Sequence, residues 1–313
     1  MKLIRKTLID KPDVVYNLHV EKNNNYIAND IIVSNCHGSK AKVLKDLLKN
    51  MYHINFKYGF TGTLPDDESE VLTIKSFLGP VLKEYNADYL TQKEHLSKCN
   101  INVIKLKYNK PKELTHTIQQ DGFGYELEEK IDFPVLKERI CTHPFRLDIL
   151  HNIINRVGDD NILVLVSMIE KEGVVIEKFL QKYLPNKKVF FLSGRDPIKL
   201  RNEWVERCKD EKDIVLIATY QIFQMGIDIP SLKNIVLYTP YRSKIVVLQS
   251  IGRGLRTHID KIDGAMIYDI VDDLDVFRSQ FNARKKNYDK ECFDITEEIV
   301  KEKEFYARKI TKE

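Results

Sequence analysis

Asn161-Ile162-Leu163-Val164-Leu165-Val166 is the stretch on which the fold turns. Five consecutive apolar residues leave no polar face, so the segment is either a strand buried on both sides or a fragment of a buried helix. Its shortness and β-branched content select the strand. Working outward, the same kind of segment recurs. Lys188–Leu192, Asp213–Ala218, Asn234–Tyr238 and Ala265–Ile270 all read as strands. Helical spacing separates them at 171–183, 197–210 and 243–256. Apolar strands alternating with helices of this length predict an α/β fold, a parallel sheet with helices on both faces.

The rest of the chain is more varied. Lys40–Met51 carries Val43, Leu47, Leu48 and Met51 at helical period, and Phe56–Phe60 reads as a strand running into Thr61-Gly62-Thr63. Ile101–Lys107 alternates as a strand, and Asn109–Glu128 reads as a linker or hairpin turning at Asp121-Gly122. Residues 1–35 have a different pattern, with short β segments and polar turns but no helical period. After Asp275 the charge density and spacing predict a solvated helical tail. The expected organisation is 1–35, a β-rich fragment; 36–100, part of a first lobe; 101–145, a linker or hairpin; 146–274, a second lobe; and 275–313, a charged helical tail.

Composition narrows the function classes. The chain has 313 residues, 43% hydrophobic and 31% charged, with a formal net charge of +4. That length buries a core without help from disulfides or metals. The five cysteines form no CxxC pair, so neither a zinc site nor a disulfide framework is expected. A reducing, cytoplasmic setting is expected instead. No apolar run approaches the length of a membrane span, so no membrane partner is expected.

Charge is distributed unevenly. Between Ile229 and Ile259 stand Lys233, Arg242, Lys244, Arg253 and Arg256, without one Asp or Glu. Such a one-sign field suits phosphate. On a helix, Gln249, Arg253 and Arg256 share a face. Gly252 and Gly254 each cost a helix about 1 kcal/mol, which suggests close approach of backbone or phosphate there.

These residues carry a resemblance. Gln249-Ser250-Ile251-Gly252-Arg253-Gly254-Leu255-Arg256 resembles motif VI of superfamily 2 DExH helicases, and Ala218-Thr219-Tyr220-Gln221 with Gly226-Ile227-Asp228-Ile229-Pro230 resembles motif V. Thr61-Gly62-Thr63 resembles motif III, and Cys36-His37 the end of the DExH box itself. The likeness covers about Cys36 to Asp273. The approach to motif VI, Tyr241–Leu248, is similar to phage helicases that remodel branched DNA. For a phage-encoded chain the expected cytoplasm is the host's.

The resemblance implies RecA-like lobes, with ATP and Mg²⁺ as cofactors and DNA as partner, branched or forked, with an RNA–DNA hybrid as a further substrate. It implies that Gln249 positions the γ-phosphate and that Arg253 and Arg256 stabilise the transition state. It places Gly226, Asp228 and Gly252 at the nucleotide. His37, Thr61, Gly62 and Thr63 would couple that site to DNA. Ser167, Ser193, Gly194, Thr219, Arg242 and Lys244 would lie along the nucleic acid, where strand ends and exposed amides hold phosphates. The chain contains no GxxxxGK[ST] loop and no Asp-Glu pair before Cys36. A partner chain is therefore expected to supply both, together with the metal contacts, and this chain alone is not expected to hydrolyse ATP.

Ser34-Asn35-Cys36 offers separate chemistry. An Asn side-chain amide can attack its own carbonyl and cut the chain after itself, while a following Cys can accept an acyl group as a thioester. Val14–Glu21, Asn25–Asn29 and Ile32–Cys36 resemble the C-terminal splicing blocks of inteins, and residues 1–35 resemble the small C-terminal half of a split intein (Hint) domain. The chain departs from that family at Asn17, where Asp is usual, and at Asn24, where His is usual. The resemblance implies Asn35 and Cys36 as splicing residues and an N-terminal helicase chain carrying the other intein half as partner. Two alternatives stand beside it: a stand-alone nucleic-acid-binding lobe without ATPase activity, and a contiguous intein-containing helicase whose start is misassigned.

Overall fold

The computed structural model describes residues 25–28, 31–35, 46, 49–50, 57–60, 64, 67–120, 126–225, 229, 231–241, 247–248, 251–252 and 264–310. The chain divides into two compact units, Met1–Glu84 and Tyr85–Glu313.

In the first unit, β1 (Asn25–Ala28) pairs antiparallel with β2 (Ile31–Asn35), and β2 pairs in parallel with β3 (Lys57–Phe60). A free-standing β-rich intein fragment is therefore not shown among the described residues. The β-branched run Ile31-Ile32-Val33 has the propensity to pair on both sides, and the sheet continues past residue 35. Helix α1 (Glu68–Leu78) follows, capped by the Asp67 carboxylate, which accepts from the Glu70 amide at 3.0 Å.

The second unit opens with the short helix α2 (Ala87–Gln92) and is built on a parallel sheet of seven strands. These are β4 (Cys99–Lys107), β7 (Ile162–Val166), β8 (Lys188–Leu192), β9 (Ile214–Thr219), β10 (Asn234–Leu237), β11 (Ala265–Asp272) and β12 (Asp294–Lys301). Their order is β12-β4-β11-β10-β7-β9-β8. Every pairing in it is parallel. A hairpin of β5 (His116–Gln120) and β6 (Glu126–Lys130) stands apart. The expected turn at Asp121-Gly122 lies outside the described residues.

Strand alternation sorts the core into two layers. Leu163, Leu165, Leu216, Ala218, Ile235 and Leu237 point to one face and pack with Cys208, Phe281 and Tyr288. Ile162, Val164, Val166, Val215, Ile217 and Val236 point to the other and pack with Leu136, Ile140, Leu150 and Ile176. The first face is covered by α7 (Ile198–Asp210) and α9 (Asp275–Lys290), the second by α4 (Phe133–Cys141), α5 (Pro144–Val157) and α6 (Val174–Tyr183). Short helices α3 (Pro111–Thr115) and α8 (Tyr220–Met225), and the terminal α10 (Glu302–Ile310), also belong to this unit. This is the RecA-like arrangement: the apolar strands have no polar face because helices bury both.

The charged tail differs from expectation. Residues 294–301 form the outermost strand, β12, paired with β4. The reason is electrostatic as well as geometric: Glu297 of β12 binds Lys105 of β4 and Lys285 of α9 at 2.5 and 2.6 Å, so its charges face partners.

Candidate nucleic-acid interface

Because the strands are parallel, their C-terminal ends collect along one edge of the sheet, the usual place for a ligand in open α/β sheets. Val166 pairs with Thr219 and Leu192 with Ala218, so the residues that follow them are brought together at that edge. Ser167 follows β7, Ser193 and Gly194 follow β8, and Thr219 ends β9.

The centre of this edge is a buried carboxylate. Glu172 Oε2 accepts from the amides of Ser167 at 2.8 Å and Met168 at 3.0 Å, and from the Thr239 hydroxyl at 2.6 Å. Its Oε1 has no hydrogen-bond partner among the described residues. Several donors are what a carboxylate needs to leave water. The turn that carries it, Ile169–Gly173, is a π-helical turn, an irregularity often found at functional sites. Gly173 closes that turn against β8: a Cβ there would lie 2.2 Å from the Phe191 ring. In front of Glu172, Lys137 Nζ from α4 donates to the Ser167 hydroxyl at 2.7 Å and lies 5.9 Å from the centre of the Tyr241 ring.

Ser193 is arranged similarly. Its amide and hydroxyl both donate to Asp196 Oδ2, at 2.7 and 3.0 Å, and it is 4% exposed. Gly194 is exposed, and Ile222 Cδ1 lies 3.8 Å from the place of an added Cβ. Thr219 is buried at 5% exposure.

Residues 146–258 match the family described as the helicase conserved C-terminal domain. This part of the chain resembles a helicase C-terminal domain. Over 251 residues the chain is 26% identical to the ATP-dependent DNA helicase uvsW of Enterobacteria phage T4, covering 80% of this chain and 47% of that protein. The crystal structure of T4 UvsW superposes with a TM-score of 0.52 at 22% identity, over 86% of this chain and 53% of that one. S. cerevisiae Dbp5 bound to RNA and ADP BeF3 superposes with a TM-score of 0.55 at 15% identity, over 90% and 62%. These superpositions establish the shared fold. The chain spans about half the length of the curated relatives it matches.

Within the matched residues, Ser167, Ser193, Gly194 and Thr219 share the sheet edge. Gly252 is a half-buried helical residue with no atom of the described residues within 4 Å of an added Cβ. Asn35 ends β2. Cys36, His37, Thr61, Gly62, Thr63, Gly226, Asp228, Arg242, Lys244, Gln249, Arg253 and Arg256 lie outside the described residues. Apart from Gly252, the nucleotide contacts expected of this chain belong to that group. Among the described residues, no cluster of three or more His, Cys, Asp and Glu is placed to hold a metal ion. No helix among them is long and apolar enough to cross a membrane.

Sequence reading missed Glu172, Lys137 and Thr239. It also missed the clamp behind them. Arg284 of α9 donates from Nε and Nη2 to Asp269 at 2.9 and 2.8 Å, and from Nη1 to the Tyr241 carbonyl at 3.1 Å. Tyr288 donates to the same Asp269 at 2.9 Å. Burial opposes the Arg284 charge, but Asp269 beside it more than offsets this, and the guanidinium pKa is raised. The Tyr241 ring packs on Tyr220, 4.8 Å between centroids. The tail helix thus fixes the backbone where it leaves β10. The one signal available in sequence was an Arg–Tyr pair at helical spacing, Arg284 and Tyr288.

Proposed function

We propose that this chain is a nucleic-acid-binding helicase lobe without ATPase activity of its own. It completes an ATP-dependent DNA helicase only with a chain that supplies the phosphate loop and the metal ligands. The observation that carries the reading is the gathering of Ser167, Ser193, Gly194 and Thr219 on one edge of a parallel sheet, inside a region matching the helicase conserved C-terminal domain. The 251-residue likeness to a protein named an ATP-dependent DNA helicase supports DNA as the partner, branched or forked. ATP with Mg²⁺ would supply the energy of the motor in the assembled enzyme. Gln249, Arg253 and Arg256 are this chain's candidates for meeting its phosphates, with Gly226, Asp228 and Gly252 nearby.

The test uses the purified chain with a labelled DNA fork and with ATP. It is expected to bind the fork with strong salt dependence and to release no phosphate above background. ATP turnover by the chain alone, or absence of DNA binding, overturns the reading.

A second reading has its support in Ser34-Asn35-Cys36 and the blocks before it. Residues 1–35 would act as one half of a split intein, with Asn35 cyclising and Cys36 receiving the partner's segment. The parallel β2–β3 pairing supports the first reading instead, since it joins 31–35 to the rest of the unit. Co-expression with a partner carrying the other intein half, followed by intact mass, separates them. A ligated product lacking residues 1–35 establishes splicing; two folded, unligated chains reject it.

A further inference from the structure

We infer that Lys137 is the residue of this edge that contacts a nucleic-acid phosphate, and that Ser167 acts by positioning it. The inference rests on the reading that the lobe binds nucleic acid, and it names the donor.

A strand end normally offers its outgoing amides to a phosphate. Here those amides are taken. The Ser167 and Met168 N–H groups both donate to Glu172, and the Ser193 N–H donates to Asp196. What remains at the end of β7 is a side-chain donor. Lys137 is half-buried, its stem set into α4 and its amine held by the Ser167 hydroxyl at 2.7 Å. The nearby cations are already neutralised: Lys171 binds Glu138 at 2.5 Å and Arg195 binds Glu170. Lys137 makes no ion pair with any described residue. The Tyr241 ring on its other side offers a face to the cation, an attraction that leaves the charge available. A lysine held by one hydroxyl and one ring, with no ion pair to a described residue, at the carboxyl edge of a parallel sheet, is a preset donor for a phosphodiester oxygen. Its side chain is ordered before the ligand arrives, so less rotamer freedom is lost on binding.

The experiment measures binding of the full chain to a labelled single strand and a labelled fork across a salt series. Each neutralised phosphate contributes a slope of about 0.9 on duplex, or about 0.7 on a single strand, in log affinity against log salt. Lys137→Gln keeps a donor for Ser167 and loses the charge. It is expected to lower affinity several-fold on every sequence and to reduce the slope by about one contact. Lys137→Arg is expected to retain the slope. Ser167→Ala is expected to lower affinity at an undiminished slope, because the hydroxyl carries no charge. Thermal unfolding of each variant confirms that it folds. Binding with an unchanged slope in Lys137→Gln overturns the inference alone; no binding by the unmodified chain overturns both it and the proposed function.

Discussion

Arg284 and Asp269 are the side chains whose loss should be felt most. Both are buried, at 3% and 1% side-chain exposure, and each is the other's counter-charge. Removing one leaves the other charged in a dry setting, which costs about 3–5 kcal/mol in such pairs. Arg284→Met is expected to lower the unfolding free energy from a urea titration by an amount in that range, and the double variant with Asp269→Asn by less. His143 gives a pH test. Its Nδ1 accepts from the Phe145 amide at 3.3 Å and caps α5, which requires the neutral ring. Burial holds its pKa below the ordinary 6.5, against the opposing pull of Glu302 and Asp272. The unfolded chain therefore binds the extra proton first. Stability is complete above pH 6.5 and is lost as pH falls below it. His151, lowered chiefly by burial, adds in the same direction. Melting temperature followed from pH 7.5 to 5 should fall, and His143→Asn, which keeps a capping oxygen, should flatten part of the fall. At this scale the sequence was only partly legible. Ser167 and Thr219 announced themselves by ending apolar runs. Glu172 stands in Ile169-Glu170-Lys171-Glu172-Gly173, where nothing distinguishes the buried carboxylate from its exposed neighbour Glu170.

Among the elements, the glycine before β11 makes a sharp prediction. Gly264 has φ +89°, and an added Cβ would lie 2.5 Å from the Lys98 carbonyl oxygen. Gly158, at φ +70° after α5, has open space around it. Both substitutions by Ala meet backbone strain, of order 1–3 kcal/mol, but only Gly264→Ala also meets backbone. It should be the more destabilising of the two in a urea titration. Strands β7 and β9 were legible because burial on both faces writes itself as an unbroken apolar run. Strand β12 was not. An edge strand needs only a partly covered face, and Asp294-Ile295-Thr296-Glu297-Glu298-Ile299 shows charge where a strand signal would be. Its stabilising partners, Lys105 and the β4 backbone, lie far upstream, beyond the reach of any local pattern.

For the whole molecule, the tail becomes a structural component. Strand β12 covers β4, and α10 brings Phe305 to within 5.6 Å of Phe145, ring to ring, while Tyr306 donates to Asp148 at 3.0 Å. A chain ending at Glu291 should melt lower and aggregate on warming, since it exposes a long edge at β4. Thiol labelling gives a second global readout. Burial pushes the Cys99 and Cys208 thiols up to about 12, with Asp294 adding at Cys99, and burial raises Cys141 well above its usual value. In a Cys36→Ala background, exposed Cys292 should react at once with a thiol reagent. The other three should wait for unfolding.

The position of β4 has one more consequence, in time. It is the earliest strand of the large sheet to be made, yet its two neighbours are among the last: Tyr108 meets Asp272 across 164 residues, and Asn102 meets Glu298 across 196. At about 5–20 residues per second of synthesis, the outer edge of β4 waits roughly 10–40 s for β12. For most of that interval, until β11 is made, the nascent chain carries an apolar strand with no neighbour on either side. The ribosome-bound form of this protein is thus the one most in need of a chaperone, and stalled translation near residue 290 would leave the sheet permanently open.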